Sequence, residues 1–559
     1  MHDYQRWLNN VKDKALLDEL KNMNEEQKEA AFYKDLEFGT GGLRGLLGAG
    51  SACLNIYTVG KVSQGIAQYA KAHYGDNASV AISYDSRINS TLFARYAAGV
   101  YAANGLKVYI YPTLMPTPLL SYAVRYLRTS IGVMVTASHN PKQYNGYKVY
   151  NDEGCQITLE AANEMVGIIE SLDIFNDVKT MEFEDGLHTG KIEYITPDCL
   201  NSFLDYIKTK EIPEIQERDL KIVYSPLNGT GLVPVTRALD NAGFKDVSVV
   251  EEQRNPDGNF TTCPKPNPEL KEALALGIKL LEKENADLLL VTDPDCDRVG
   301  TAVKYKGDIR LINGNEMGVL LYDFLLRYKK QVPGSVLIKT IVTSDMVLPM
   351  AKDAGMEVRQ VLTGFKFIGE QIGNLEKEGH ADRFFFGFEE SYGYLSGTKV
   401  RDKDAVDASL LIALMMQEFK THHKNPIHRL EELYQKYGYV KTSLENFEFP
   451  GPKGFLIMQQ IMKNWHAYAE KHKDEYLFVN DYLSHVSYEE GVKKPIHLPS
   501  SDVLKFGLKD GSTFTIRPSG TEPKIKVYYD VSASKESELD AKLSSLSKNV
   551  DSLMKQSEK

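Results

Sequence analysis

The chain has few cysteines, no surplus of positive charge and no apolar run of membrane-spanning length, and each shortage excludes a class of protein. The five cysteines among 559 residues (Cys53, Cys155, Cys199, Cys263 and Cys296) are odd in number and lack CxxC spacing. Neither a disulfide framework nor a structural zinc site is supported, so a reducing compartment is expected. Lys and Arg total 66 against 76 Asp and Glu, a formal net charge of −10. That balance speaks against a nucleic-acid footprint or an anionic membrane surface, and any anionic ligand must be caught by a local cluster. Met1 to Leu20 carries charges throughout instead of the apolar core of a signal peptide, and no segment is long enough to cross a bilayer. A cytoplasmic protein is expected, monomeric or a weak homodimer, without nucleic-acid or membrane partners.

What is present is globular in composition, and the length suggests three to five domains. Apolar residues at helical spacing (Trp7, Leu8, Val11, Leu16, Leu17, Leu20) predict two helical segments between about Tyr4 and Leu36. An internal repeat follows. Each copy opens on a short apolar strand: Val80–Asp85, Lys221–Ser225 and Val336–Thr340. Each then runs through a helical stretch to a glycine, at Asn104-Gly105, Ala242-Gly243 and Ala354-Gly355, the residue expected just past a helix end. A second strand follows, and a third apolar strand ends in a polar loop, at Ser138, at Thr292-Asp293 and at Gly387-Phe388-Glu389. Strands alternating with helices predict parallel βαβ units. The expected fold is therefore α/β, with three tandem similar mixed or parallel α/β domains at 1–205 (helical extension 1–37), 206–313 and 314–430. From about Leu430 the pattern changes: the hairpin around Asp510-Gly511 and the alternating strand from Lys524 predict an α+β domain at 431–559. In open α/β sheets ligands bind beyond the carboxyl ends of strands, so the polar loops are expected to wall one central cleft.

The loops carry distinct chemistry. Thr136-Ala137-Ser138-His139-Asn140-Pro141 follows the buried run Ile131–Val135 and stops at Asn-Pro. That places a hydroxyl on a rigid corner, as a nucleophile or phosphoryl carrier requires, although a lone serine beside Asn-Pro more often bonds its own backbone. His139 completes no triad, since neighbours on an extended chain point to opposite faces. Asp293-Pro294-Asp295-Cys296-Asp297-Arg298 sets three carboxylates at alternate positions on a nearly extended chain after Leu288–Val291. They suit a hard cation such as Mg²⁺, and Arg298 offers a fixed cation to a phosphoryl oxygen. Gly387-Phe388-Glu389-Glu390-Ser391 has a carboxylate and a hydroxyl suited to sugar hydroxyls, with a plain surface turn equally compatible; Thr363-Gly364-Phe365-Lys366 is similarly ambiguous. In Arg517-Pro518-Ser519-Gly520-Thr521 an arginine, hydroxyls and free backbone N–H groups make an anion-binding concavity.

Those four motifs, in that order and over nearly the whole length, resemble the α-D-phosphohexomutase superfamily of phosphoglucomutases and phosphomannomutases. The resemblance implies four domains around a cleft and a phosphoserine at Ser138, which also supplies an oxygen to Mg²⁺ held by Asp293, Asp295 and Asp297. It implies that Glu389 and Ser391 hold sugar hydroxyls, with Arg298, Thr363, Gly364, Lys366 and Arg401 also lining the substrate. Arg517, Ser519, Gly520 and Thr521 would hold the non-reacting phosphate. Arg44, in a glycine-dense loop, and Lys148 would flank the phosphoserine, with His139 counted among the catalytic group. A bacterial branch carries a histidine shortly after the Glu-x-Ser loop; here that position is Gly393, and Lys403 of Arg401-Asp402-Lys403-Asp404 is put forward as the acid/base. The implied reaction interconverts glucose 1-phosphate and glucose 6-phosphate through a bound hexose 1,6-bisphosphate. Phosphomannomutase and phosphopentomutase/sugar-bisphosphate synthase are the alternatives within the family, amino-sugar phosphates suit the same charge layout, and a non-catalytic sugar-phosphate-binding regulator is the alternative outside it.

Overall fold

A computed structural model of the chain describes residues 2–39, 41–450, 453–490, 492–520 and 523–557. The chain divides into two compact units, one of residues 1–317, 328–333 and 365–423, the other of 318–327, 334–364 and 424–559.

The first unit holds two sheets of the repeat. In the first, the strands run in the spatial order Gly42–Leu46, Tyr144–Tyr150, Ile131–Val135, Ser79–Tyr84, Lys107–Ile110, Ile192–Tyr194. Ser79–Tyr84 is parallel to both Lys107–Ile110 and Ile131–Val135, while Tyr144–Tyr150 returns antiparallel. In the second, Ile222–Ser225 is likewise parallel to Val247–Val249 and Leu288–Thr292, and Val299–Tyr305 returns antiparallel. The two sheets thus share one plan. In both, the third strand is buried along its whole length, as parallel strands covered on both faces must be, and it leads into one of the polar loops. This unit also contains the hairpin Phe384–Glu389 with Gly393–Leu395 and the helix Ala405–Thr421, started by Asp404, whose side chain accepts the N–H groups of Val406 and Asp407.

The N-terminal stretch forms three helices (His2–Asn10, Lys14–Asn22, Glu25–Phe32) rather than two. The extra break has a local cause: Asp13 accepts Leu16 N–H, and Asn24 and Gln27 form a reciprocal capping box, so two starts are fixed where periodicity suggests one.

In the second unit, Val336–Thr340 and Glu357–Val361 pair in parallel. A seven-stranded antiparallel sheet from Tyr439–Glu448 to Lys524–Ala533 has the expected hairpin, Leu504–Gly507 with Thr513–Pro518, at its centre. The helices Gly454–His472 and Glu536–Ser557 contribute apolar side chains to the core of this domain.

The three helix ends of the repeat close identically. Gly105, Gly243 and Gly355 have φ of +82°, +94° and +64°. The residue after each donates to the carbonyl five residues back: Leu106 to Tyr101, Phe244 to Leu239 and Met356 to Ala351. This is the glycine-dependent Schellman closure, and a side chain at those φ values would strain it.

Candidate active site

Ser138 leaves the strand Ile131–Val135 in the left-handed region, at φ +53°. A non-glycine residue there must be held from outside. Its N–H is bound by Thr136 Oγ1 at 2.8 Å, and Thr136 in turn donates to Asp85 Oδ2 at 2.6 Å. The turn corrects the extended-chain expectation for His139, whose Nδ1 stands 3.3 Å from Ser138 Oγ. Burial, followed by the charges of Arg298 and Arg44, keeps the imidazole of His139 well below its ordinary pKa and hence neutral.

Ser138 Oγ donates to Asp293 Oδ2 at 2.9 Å, although 155 residues separate the two in sequence. Asp293, Asp295 and Asp297 are all buried, and one ligand oxygen from each lies within 4.8 Å of the others. Their loop is a turn with Cys296 at φ +52° rather than an extended run. The turn, not alternation along a strand, brings the carboxylates together. Backbone N–H groups of Asp297 and Arg298 fix Asp293 Oδ1 at 3.1 and 3.0 Å. Thr117 Oγ1 and Lys148 Nζ fix Asp295 Oδ2 at 3.0 and 2.8 Å. Lys403 Nζ lies 3.1 Å from Asp297 Oδ2, and Arg298 pairs with Glu269 at 2.6 Å.

The remaining oxygens supply a test for a metal. Asp295 Oδ1 and Asp297 Oδ1 are buried and accept no hydrogen bond. Buried carboxylate oxygens of this kind are costly unless a cation completes them, and an all-oxygen donor set suits Mg²⁺. The site fits the ion. Without it, burial and the two neighbouring aspartates push Asp293 well above the usual carboxylate range. Burial acts the same way on Asp295, but Lys148 outweighs it and holds that carboxyl low.

The sugar-side residues are partly assembled. Glu389 ends its strand buried, and burial pushes its carboxyl up to about 7 against the opposing charge of Lys403. Tyr392, at φ +67°, turns the chain just after Ser391. Gly393 explains the missing histidine, because a Cβ there would stand 2.3 Å from Lys403 Cδ. The lysine stem occupies the space that a side chain at 393 would need. Burial disfavours the charged ammonium of Lys403, but Asp297, Asp402 and Glu389 together hold it protonated.

Arg401 stands apart from this group. Fully buried, it bonds Thr398 O at 2.6 Å and pairs with Glu376, while its N–H donates to Ser121 Oγ at 2.8 Å. These bonds brace Arg401 within the fold, with its Nε buried and without a hydrogen bond. Arg44 lies exposed on its strand, with Nη1 3.2 Å from Asn140 Oδ1 beside the serine loop. Burial lowers Lys366 to about 8. In the second unit, Thr363 Oγ1 is buried without a partner, Gly364 has φ +122°, and Ser519 N–H bonds Lys524 O at 2.8 Å beside Arg517 at a strand end. Thr521 lies outside the described residues. Sequence reading missed Thr117, Asp85, Arg87 and Asp402. Asp85 and Arg87 follow the first strand of the repeat, so the strand-end rule that found Ser138 could have found them.

A hydroxyl on a fixed corner facing a cation cradle suits phosphoryl transfer, which asks of a protein mainly placement and charge compensation. The fold and the cradle together are those of an α/β phosphoryl-transfer enzyme. Profiles of the phosphoglucomutase/phosphomannomutase family match its alpha/beta/alpha domain I at 35–174, domain II at 201–307, domain III at 313–437 and its C-terminal domain at 459–543. Phosphoglucomutases of Staphylococcus saprophyticus and Staphylococcus aureus are 36% and 34% identical to this chain over 539 and 533 residues, covering 94% of it and 96% and 95% of themselves. The crystal structure of the Paramecium phosphoglucomutase parafusin in its open form shares the fold at TM-score 0.67 and 16% identity, covering 94% of this chain and 96% of its own. A Burkholderia thailandensis phosphoglucomutase/phosphomannomutase family protein does so at 0.67 and 17%, covering 92% and 97%. The chain belongs to the phosphoglucomutase/phosphomannomutase family.

Proposed function

We propose that this chain interconverts glucose 1-phosphate and glucose 6-phosphate, with Ser138 as the phosphoryl carrier. The observation that carries the reading is Ser138 Oγ at 2.9 Å from Asp293 within a buried three-aspartate cluster. The names of the staphylococcal relatives support glucose as the sugar.

In the first half-reaction the bond from phosphorus to Ser138 Oγ breaks while one forms to the free hydroxyl of the sugar phosphate, giving a hexose 1,6-bisphosphate. The proton of that hydroxyl must leave as the bond forms, and the freed Ser138 Oγ must take one up. Lys403 is the group assigned to the sugar hydroxyl, and because its carboxylate neighbours hold it protonated it must first release its own proton. After the bisphosphate turns over, its other phosphorus–sugar bond breaks, the bond to Oγ re-forms as Oγ gives up its proton, and the sugar oxygen gains one. Mg²⁺ bound by Asp293, Asp295 and Asp297, with an oxygen of phosphorylated Ser138, would supply charge opposing the transferring phosphoryl group. Lys148, Arg298 and Arg44 add fixed cations, and the neutral His139 orients Ser138. Glu389 and Ser391 are assigned to sugar hydroxyls, and Thr363, Gly364 and Lys366 are also assigned to the substrate. Arg517, Ser519, Gly520 and Thr521 are assigned to the non-reacting phosphate, since the substrate must be gripped in two orientations by features common to both.

Peptide mapping should find phosphate on Ser138. A coupled assay with added hexose 1,6-bisphosphate should show faster turnover of glucose 1-phosphate than of mannose 1-phosphate. Ser138→Ala should lose at least about 10³-fold in kcat. Turnover retained by that variant would overturn the reading; a preference for mannose would move the substrate and leave the chemistry.

A further inference from the structure

Arg87 is buried in the loop after the strand Ser79–Tyr84, and none of its side chain is exposed. Both terminal nitrogens of its guanidinium are spent on the backbone around Ser138. Nη1 donates to Pro141 O at 3.0 Å and Tyr144 O at 3.1 Å, and Nη2 donates to Ser138 O at 2.5 Å and to Asn140 O. Its Nε lies 3.4 Å from Asp85 Oδ2, the oxygen that accepts Thr136 Oγ1, and Thr136 Oγ1 in turn binds Ser138 N–H. One planar cation thus gathers four carbonyls of a loop that Ser138 enters at a strained φ. Lysine, with three donors on a single point, cannot copy that arrangement.

The outer face of the same guanidinium is covered from the second repeat. The Phe260 ring centroid lies 4.9 Å from Arg87 Cζ, and Phe260 is wholly buried. Gly258 packs so closely on the Arg87 loop that a Cβ would stand 2.7 Å from both Ile88 N and Ser86 O. The segment 255–262 is in turn tied to Asn228, through Asp257 N–H to Asn228 O at 3.1 Å, Asn228 Nδ2 to Asn255 O at 2.7 Å, and Thr262 Oγ1 to Asn228 Oδ1 at 3.0 Å. Two residues on, Thr230 N–H and Oγ1 both bind Pro294 O at 2.9 Å, inside the aspartate loop. A continuous run of contacts therefore leads from the carbonyls around Ser138, through Arg87, Phe260 and Asn228, to Pro294.

We infer that Arg87 is a positioning residue for Ser138, and that its contact with Phe260 sets the distance between the serine oxygen and the three aspartates. The inference rests on the reading of Ser138 as the phosphoryl carrier. Neither Arg87 nor Phe260 touches the reacting atoms; they act by fixing where Oγ sits, and displacement by about 1 Å is enough to cost roughly 10²-fold in rate.

The test uses three variants of the full chain. Phe260→Leu removes the aromatic face, Gly258→Ala wedges the two loops apart without deleting any hydrogen bond, and Arg87→Lys removes the four-carbonyl grip. Each is phosphorylated on Ser138, and single-turnover transfer to glucose 1-phosphate is measured per phosphorylated site. The expected result is transfer slowed about 10- to 100-fold with KM changed less than about threefold. A purely structural role would lower the folded fraction and leave the rate per phosphorylated site intact. If Arg87→Lys does not fold, the other two variants decide. Wild-type transfer rates in both Phe260→Leu and Gly258→Ala would overturn the inference. A wild-type chain that takes no phosphate on Ser138 would instead overturn the reading on which it rests.

Discussion

Asp295 and Asp345 both accept a lysine ammonium at 2.8 Å, yet the clusters around them are built to different ends. Around Asp345, in the second unit, each oxygen has its own ammonium: Lys339 on Oδ1 and Lys505 on Oδ2, both at 2.8 Å. The N–H of Asp345 goes to Asp530 Oδ2 at 2.7 Å. That cluster is complete as it stands. Around Asp295 the lysines are present too, but Asp295 Oδ1 and Asp297 Oδ1 are left buried without a hydrogen bond, Asp297 Oδ1 having only Arg298 Nε at 3.9 Å. A network finished by side chains fastens a fold, whereas one left short of a cation marks a site for one. Burial and charge alone would not tell the two apart.

The sharpest break between them is stability against activity. Asp345→Ala leaves Lys339, which has no exposed surface, as a buried cation without its main partner. It should destabilise the protein by about 3–5 kcal/mol, read from urea unfolding, with kcat per folded molecule little changed. Asp293→Asn should do the reverse. Asparagine keeps an oxygen for the N–H groups of Asp297 and Arg298 and is neutral, the form toward which burial and the two neighbouring aspartates already push Asp293 when no ion is bound. Its urea midpoint in chelator should match or exceed wild type, and kcat with Mg²⁺ should fall about 10²-fold. A chelator-treated variant less stable than chelator-treated wild type would mean that the aspartate cluster also fastens the fold.

Gly393→Ala probes the site cluster from its other side. The new Cβ must displace the Lys403 stem 2.3 Å away, drawing the ammonium from Asp297. A fall of about tenfold in kcat is expected, on the scale of a misplaced catalytic group, with KM nearly constant. Unchanged kcat would remove Lys403 from the acid/base role.

Much of this was legible in the sequence because the strand-end rule is strong. Ser138 and Asp293 both follow wholly buried strands, and the three glycine closures gave the repeat its period. What escaped was whatever depended on a positive φ or on a remote partner. The pattern of residue types puts Ser138 at a corner, but it makes the step to His139 and the run through Cys296 extended; both residues take a positive φ, and the turns bring His139 to the serine and the aspartates to one another. Thr117 reaches Asp295 across 178 residues, and no local spacing predicts that. Lys403 and Gly393 were each visible, but their competition for one space was not, because volume exclusion across ten residues of loop leaves no periodic trace. The third N-terminal helix was in principle readable, since Asn24-x-x-Gln27 is a capping box in plain view.

His466 is an intermediate case, a charge cluster at a solvent edge. Its Nε2 lies 2.8 Å from Asp502 Oδ1 and its Nδ1 3.2 Å from Asp481 Oδ2. Burial lowers its affinity for a proton, but the two carboxylates more than offset this and raise it to about 9. Because the folded value lies above the ordinary 6.5, the stabilisation is fully present below about pH 6.5 and is lost as pH rises through 9. Partial exposure screens the pair, so about 1 kcal/mol is expected in place of the several that the shift alone would give. Urea unfolding at pH 6 and pH 9.5 should therefore show wild type losing about 1 kcal/mol more than His466→Gln between the two. Parallel losses in both proteins would place His466 with the neutral packing of its helix rather than with the charge clusters, and the completeness of a cluster would then say nothing about its worth at the surface.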